Sequence, residues 1–546
     1  MSYPDPPNQP PWMQPGQPPG GPPPQGPGGP PPPGMAYAQP QPGAPRKRRT
    51  WIIPTAGVLG VVLMASTVWA ASYAVDDLFG GPQPETVAPS SSVMFAKLDL
   101  KPSGNQLANY AQFVNKLPDE LTEDVDPEAD PAEPIFDDGI LQDSDLTYEE
   151  DIEPWFGQRF GFAMWPAENE DAASGEDGLA LALTLAVDNE DDADAALDEL
   201  ANEEEELYYD FHEDFAVLSD SNAALDEHAA LLEDGSLADE ENFTADMDQV
   251  GSENLASAWA DLDGLSEIES ESGGGSGGSS YDDPFGDPYG DPYDPFAPSP
   301  STPYGNFEDV SGRMAMSVQI ESDYVELRGD MIEVTVDGVS MSEYEVDEPG
   351  LDVLGELPDD TVMAMGGSGL DQWVTQAYED DPAAFDELGL TEGMEQFGVA
   401  PPDGFSDLLG SRTAFGITDL DGMMSGQSYN ADPSFQYRAT GADTAVLEDM
   451  ISGMSSGYGS SPGVDSEGDT AVVSYGRTGT GQLADDEVYQ QTMQGMEEAS
   501  AGFYVDARAI AEGEDVNDPT QYGGVGGSLS QDGENMSFTA RWAPTG

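Results

Sequence analysis

Short runs of alternating or continuous apolar residues recur along most of this chain, each separated by stretches with apolar positions at helical spacing. The run 93–100, Val-Met-Phe-Ala-Lys-Leu-Asp-Leu, predicts a strand, and 106–117 predicts a helix. Strands are predicted again at 160–165 and 179–187, a helix at 191–203 and a strand at 215–219. That succession has the β-α-β-β-α-β order of a ferredoxin-like core. Strands and helices mixed without strict alternation predict an α+β class. Further helical patterns follow, and the set closes with a hairpin over 314–329.

The same succession is written twice. Ser92-Val93-Met94-Phe95-Ala96 reads like Thr361-Val362-Met363-Ala364-Met365, and Trp155-Phe156-Gly157-Gln158-Arg159 reads like Leu408-Leu409-Gly410-Ser411-Arg412. Leu237-Ala238-Asp239 returns as Leu483-Ala484-Asp485, each opening a helical pattern with acids in its first turn. The second closing hairpin, 525–540, turns at Asp532-Gly533. Val93 to Gly157 spans 64 residues and Val362 to Gly410 spans 48; the excess falls in an acidic, proline-broken loop at 118–153. Leu237 to Ser317 spans 80 and Leu483 to Ser528 spans 45; the excess of 35 equals the length of a low-complexity insert at 272–306. Length differences confined to such loops mark an internal repeat. The expected organisation is therefore two tandem copies of a sheet-and-helix unit, at 84–345 and 350–546.

The front of the chain reads differently. Residues 1–50 form a Pro/Gly/Gln-rich tail, with 19 of the 46 prolines in the first 45 residues, a composition that predicts disorder. It ends in a basic clamp, Arg46-Lys47-Arg48-Arg49, followed by an uncharged stretch at 51–75. Twenty-five residues as a helix reach about 37 Å, enough to cross a hydrocarbon layer of about 30 Å with tilt. Trp51, Trp69 and Tyr73 stand near its ends, and the clamp predicts a cytoplasmic N-terminus with the remainder extracellular. A signal peptide cleaved near Ser72-Tyr73-Ala74 is the rival reading. Its apolar region is normally shorter and its leader is not a 45-residue proline-rich tail, so an uncleaved single-pass anchor in the plasma membrane is expected.

Charge then narrows the function. The chain carries 108 Asp+Glu against 15 Lys+Arg, a net charge of −93. Residues 76–546 hold 107 of the acids and only 11 of the bases. Nucleic acid is excluded as a partner, because phosphate neutralisation needs clustered cations. The acidity predicts a salt-adapted surface, since like charges repel in dilute buffer. With no cysteine, thiol catalysis, disulfides and cysteine metal sites are all excluded.

The order of these pieces, with Pro89 in the first-strand segment 87–106, the Lys101-Pro102-Ser103-Gly104-Asn105-Gln106 turn and the two Leu-Ala-Asp segments, resembles the actinobacterial membrane proteins carrying the DUF3352 domain. The resemblance covers most of 84–546. It implies an anchored cell-envelope protein of unknown biochemical activity and assigns no active-site residue.

Several local patterns invite chemistry, and each has a plainer explanation. Gly453-Met454-Ser455-Ser456-Gly457 and Gly459-Ser460-Ser461-Pro462-Gly463 match the serine-nucleophile elbow, but a helix pattern precedes them and no histidine follows His228. His212 and His228 lack the spacing of a two-histidine zinc motif. Gly479-Thr480-Gly481 stands between a strand and a helix like a dinucleotide loop, without the parallel unit that binding requires. Acidic clusters at 137–145, 188–194, 203–206 and 515–518 do not fit the EF-hand spacing, though weak divalent-cation contact is compatible with them. The Asp-Pro-aromatic repeats at 283–293 read as a linker. Arg159 and Arg412 occupy equivalent places in the two copies, which predicts structural Arg–carboxylate pairs. No catalytic, cofactor or metal residue is assigned. The expected function is a non-enzymatic envelope binding or scaffold protein. A calcium-dependent adhesive module and a carboxylate-based hydrolase are the alternatives.

Overall fold

The alternation at the start of the first copy forms β1 (Met94–Asp99), which sends Phe95 and Lys97 to one face of a sheet and Leu98 to the other. The structure, a computed structural model, describes residues 83–100, 109, 112–118, 121, 130, 132–141, 144–174, 178–203, 207–251, 254–271, 310–336, 339–340, 346, 350–380, 382–387, 391, 394, 399–402, 404–419, 434–454, 462–512 and 516–546. β1 pairs on one side with β2 (Phe156–Pro166). From β2 the sheet continues through β3 (Leu179–Val187) to a hairpin of β4 (Tyr208–His212) and β5 (Phe215–Ser219). On its other side β1 pairs with β6 (Ala256–Asp261), then β7 (Val310–Ile320) and β8 (Val325–Val336), with the two-residue β9 (Val339–Ser340) beside β8.

The second half repeats this order for eight strands, with no counterpart of β9 among the described residues. β10 (Met363–Ser368) lies between β11 (Arg412–Asp419) and β15 (Ala501–Asp506). β12 (Ser434–Thr440) joins β11 to the hairpin of β13 (Gly463–Glu467) and β14 (Thr470–Tyr475). β16 (Gly524–Asp532) and β17 (Asn535–Ala543) follow β15. β17 then pairs with β8, so among the described residues the two halves fuse into one sheet of 17 strands whose pairings are all antiparallel.

This corrects the expectation of two tandem ferredoxin-like units behind a membrane helix. A ferredoxin-like core needs four strands with two crossover helices, whereas here β1 sits between β2 and β6 inside a continuous sheet. Two strands of the first half were hidden from the pattern, as were their counterparts β13 and β15 in the second. β6, Ala-Ser-Ala-Trp-Ala-Asp, is built of small residues with weak strand signal, and β4 is a short, half-buried edge strand. No helix among the described residues is long and apolar enough to cross a membrane. The tail at 1–50, the stretch at 51–75 and the insert at 272–306 lie outside the described residues.

Directly opposed residues share a face, so one register row can be followed across the sheet: Leu98, Ala256, Val318, Leu327, Ala540, Gly527, Phe503, Met365, Phe415 and Tyr437. In the first half this front face is buried from β3 to β7. Helix α1 (Glu190–Glu203) covers it with Ala193, Leu197 and Leu200, and residues 132–156 add Phe136, Tyr148, Ile152 and Trp155. The described part of the loop at 118–153 is thus core: the Phe136 ring lies 5.0 Å from Phe156 and 5.4 Å from Tyr148 and Phe160. On the back face, α2 (Asn222–Leu232) packs by Trp165 and α3 (Glu241–Val250) sets Phe243 between Phe95 and Trp259. Helix α4 (Leu262–Glu271) follows β6.

In the second half, α5 (Leu370–Asp380) leaves the end of β10, and α6 (Gly404–Leu409) and α7 (Thr444–Met454) cover the β12–β14 part of the front face. Helix α8 (Glu487–Met493) and the 3-10 turn Leu351–Glu356 cover the back. The seam between halves is held by Arg541, opposite Glu326. Its guanidinium meets the carboxylate at 2.6 and 3.0 Å, donates to the Thr492 and Gln494 carbonyls and lies 4.0 Å over the Tyr324 ring.

Candidate functional site

On the front face of the second half, large apolar side chains of the sheet stay exposed. Among the described residues the aromatic cluster of the β10–β11 connection, Tyr378, Phe385 and Phe405, gathers at α6, and no ring stacks on Phe503. Met365 is 60% exposed and its direct cross-strand neighbour Phe503 is 39% exposed. Phe415 flanks Met365 on the other side, half-buried. A side chain at Gly527, opposite Phe503, would strike the Phe503 ring, so the glycine is what lets that ring lie down on the sheet. Leu327 continues the same row at 38% exposure. Large apolar side chains grouped in this way mark interaction surfaces more often than isolated ones do. The ledge rests on firm ground. Tyr437, two strands from Met365, is packed against Leu408 and donates its hydroxyl to the Leu408 carbonyl at 2.7 Å; burial pushes its phenol well above the ordinary range.

The sequence candidates fall elsewhere, and most have local work. His228 on α2 is buried, with Nε2 donating to the Val87 carbonyl at 2.8 Å and its ring 5.6 Å from Trp165. Burial lowers its pKa to about 4, so it is neutral. His212 ends β4. Gly479 donates its N–H to Asp360 at 2.7 Å, and a side chain at Gly479 or Gly481 would strike the Asp359 carboxylate. These glycines serve close packing against two acids, a poor seat for a phosphate. Residues 455–461, with both nucleophile serines, and 283–293 lie outside the described residues.

The acidic clusters satisfy backbone. Glu190, Asp191 and Asp192 fill the first turn of α1, where the helix dipole favours them. Asp137 accepts from Tyr148 N, Glu203 from Asp145 N and Asp518 from Thr520 N. Among the described residues no group of three or more His, Asp or Glu could hold a metal. Arg159 meets Asp99 across the β1–β2 ladder at 2.9 Å, and Arg412 meets Asp352 of the 3-10 turn. The ledge was missed in the sequence because Met365 and Phe503 are ordinary strand residues; their exposure depends on neighbours distant in sequence.

Comparison with known proteins adds no relative: no family model, no curated protein and no solved structure matches this chain.

Proposed function

We propose that this chain is a non-enzymatic binding or scaffold protein of the cell envelope, held at the outer face of a membrane by its N-terminal segment and receiving a protein partner on the open ledge of its second half. The observation that carries the reading is the pair Met365 and Phe503, neighbours on the sheet and exposed together. The basic clamp at 46–49 and the uncharged stretch at 51–75 support the membrane placement, and the resemblance to the DUF3352 proteins agrees with it. Charge defines the partner: around an apolar centre, a chain with 107 acids beyond residue 75 offers carboxylates, so the matching surface carries apolar anchors rimmed by Lys and Arg.

A photo-crosslinking amino acid at position 365, introduced into the full chain in its own cells, tests this. One adduct of defined mass is expected, lost in Phe503→Asp. An adduct spectrum that Phe503→Asp leaves unchanged, or none at all, refutes the docking role.

A further inference from the structure

On the back face of the first half, we infer a binding cleft for a neutral, hydroxyl-rich ligand of about the size of one sugar ring. The cleft has a volume of about 230 Å³ and lies between β1, α3 and the 3-10 turn Pro84–Thr86. At about 30 Å³ per water molecule, that is room for roughly seven or eight waters. Lys97 projects from the middle of β1 and pairs with Glu85 of the turn at 3.1 Å, both side chains more than four-fifths buried. Phe243 and Met247 of α3 form the apolar wall, and Thr244 and Asp248 the rim.

Two features set this apart from a structural ion pair. Glu85 Oε2 and Asn254 Oδ1 are buried in the cleft wall with no hydrogen-bond partner, and Asn254 as a whole is 7% exposed. Ser257, opposite Lys97 on β6, is buried with its hydroxyl also unpartnered. Unpaired buried polar atoms are uncommon and destabilising, each by about 1–3 kcal/mol. Both end groups are anchored on their other side, Asn254 Nδ2 on the Gly251 carbonyl at 2.7 Å and Glu85 Oε1 on Lys97, so a ligand gains the free oxygens by turning these end groups against those bonds. The second half has no such site at the matching strand position: Gly366 stands there, so close to the Thr413 carbonyl that a side chain does not fit.

The donor and acceptor set selects the ligand class. A hydroxyl both donates and accepts, so a polyol can give to Glu85 and Asn254 while accepting from the remaining Lys97 N–H groups. An anion would bring its negative charge against the unpaired carboxylate oxygen. An ammonium can only donate and would face Lys97. The Phe243–Met247 wall suits the C–H face of a sugar ring.

The test is saturation-transfer NMR on the full-length protein with glucose, ethanolamine and inorganic phosphate as separate probes, against wild type and Thr244→Trp. Thr244 is exposed on α3, so the indole fills the cleft from its rim; an unchanged melting temperature shows that the variant is folded. Saturable transfer to glucose, weakened at least about tenfold in Thr244→Trp, is the expected result. Binding of ethanolamine or phosphate in place of glucose overturns the ligand class. No saturable binding of any probe, or glucose binding that Thr244→Trp leaves intact, overturns the site.

Discussion

At the scale of single residues, His228 makes the clearest demand on solution conditions. Its imidazole is buried against Trp165, gives its one N–H to the Val87 carbonyl and has its pKa lowered to about 4 by burial. Above pH 6.5 neither the folded nor the unfolded chain protonates it. Between 6.5 and 4 only the unfolded chain takes up the proton, so this residue's share of stability is lost as the pH falls through that window. The full drop is about 3 kcal/mol, from a separation of roughly 2.5 pKa units. Urea denaturation of wild type and His228→Gln from pH 7.5 to 4.5 isolates it, because protonation of the surface carboxylates is common to both. Wild type should lose about 2–3 kcal/mol more than the variant over that range; parallel curves would show that His228 does not titrate on unfolding.

At the scale of elements, the seam between β8 and β17 decides whether the halves behave as one body. Arg541 and Glu326 are each 8% exposed, and both charges have lost their water. Arg541→Met leaves the buried Glu326 with only the half-exposed Arg328, at 3.6 Å, in partial compensation, so it should destabilise by about 3 kcal/mol, the low end for a broken buried pair. Arg541→Met with Glu326→Leu removes both charges and should recover most of that loss, as replacement of a whole buried pair often does. Two unfolding transitions in the single variant, in place of one in wild type, would show the halves separating at this line. A double variant no more stable than the single one would mean that the packing of Arg541 on Tyr324 matters more than the pair.

How much of this was legible in the sequence differs by element. Alternation located β1, continuous apolar runs located the buried β3 and β5, and the Asp532-Gly533 turn located the last hairpin, because such runs and tight turns leave local marks. The pairing of β1 with β6 left none: Ala256, Ser257 and Ala258 carry no strand signal and are placed by the sheet around them. Nor did the acids at 137–151 announce that Phe136, Tyr148 and Ile152, scattered between them, would close over the front face. The ledge and the cleft were invisible for a related reason. Exposure of Met365 and the unpaired oxygen of Asn254 are properties of neighbours distant in sequence.

At the scale of the whole molecule, most of the described cations are spent on internal junctions. Lys97, Lys116, Arg159, Arg313, Arg328, Arg412, Arg438, Arg508 and Arg541 each hold a carboxylate within ion-pair distance. Two of these recur as variations on one device: Lys97 with Glu85, and Arg438 with Glu356, tie a back-face cation to the 3-10 turn lying over it in each half. With the bases so used, most of the acids face one another through solvent. Their repulsion opposes the folded state in dilute buffer and is screened as salt shortens the Debye length from about 10 Å at 0.1 M to about 3 Å at 1 M. The melting temperature should therefore climb by several degrees between 0.05 and 1 M NaCl and keep climbing without saturation. Calcium at fixed ionic strength should add only a weak, non-saturating increment if the carboxylates act as a diffuse surface charge. A melting temperature indifferent to NaCl would mean that the acids are spaced too widely to repel. A saturable rise at micromolar to low-millimolar calcium would mean that some of them converge on a true site, and would put metal-dependent adhesion ahead of the docking role proposed for the ledge.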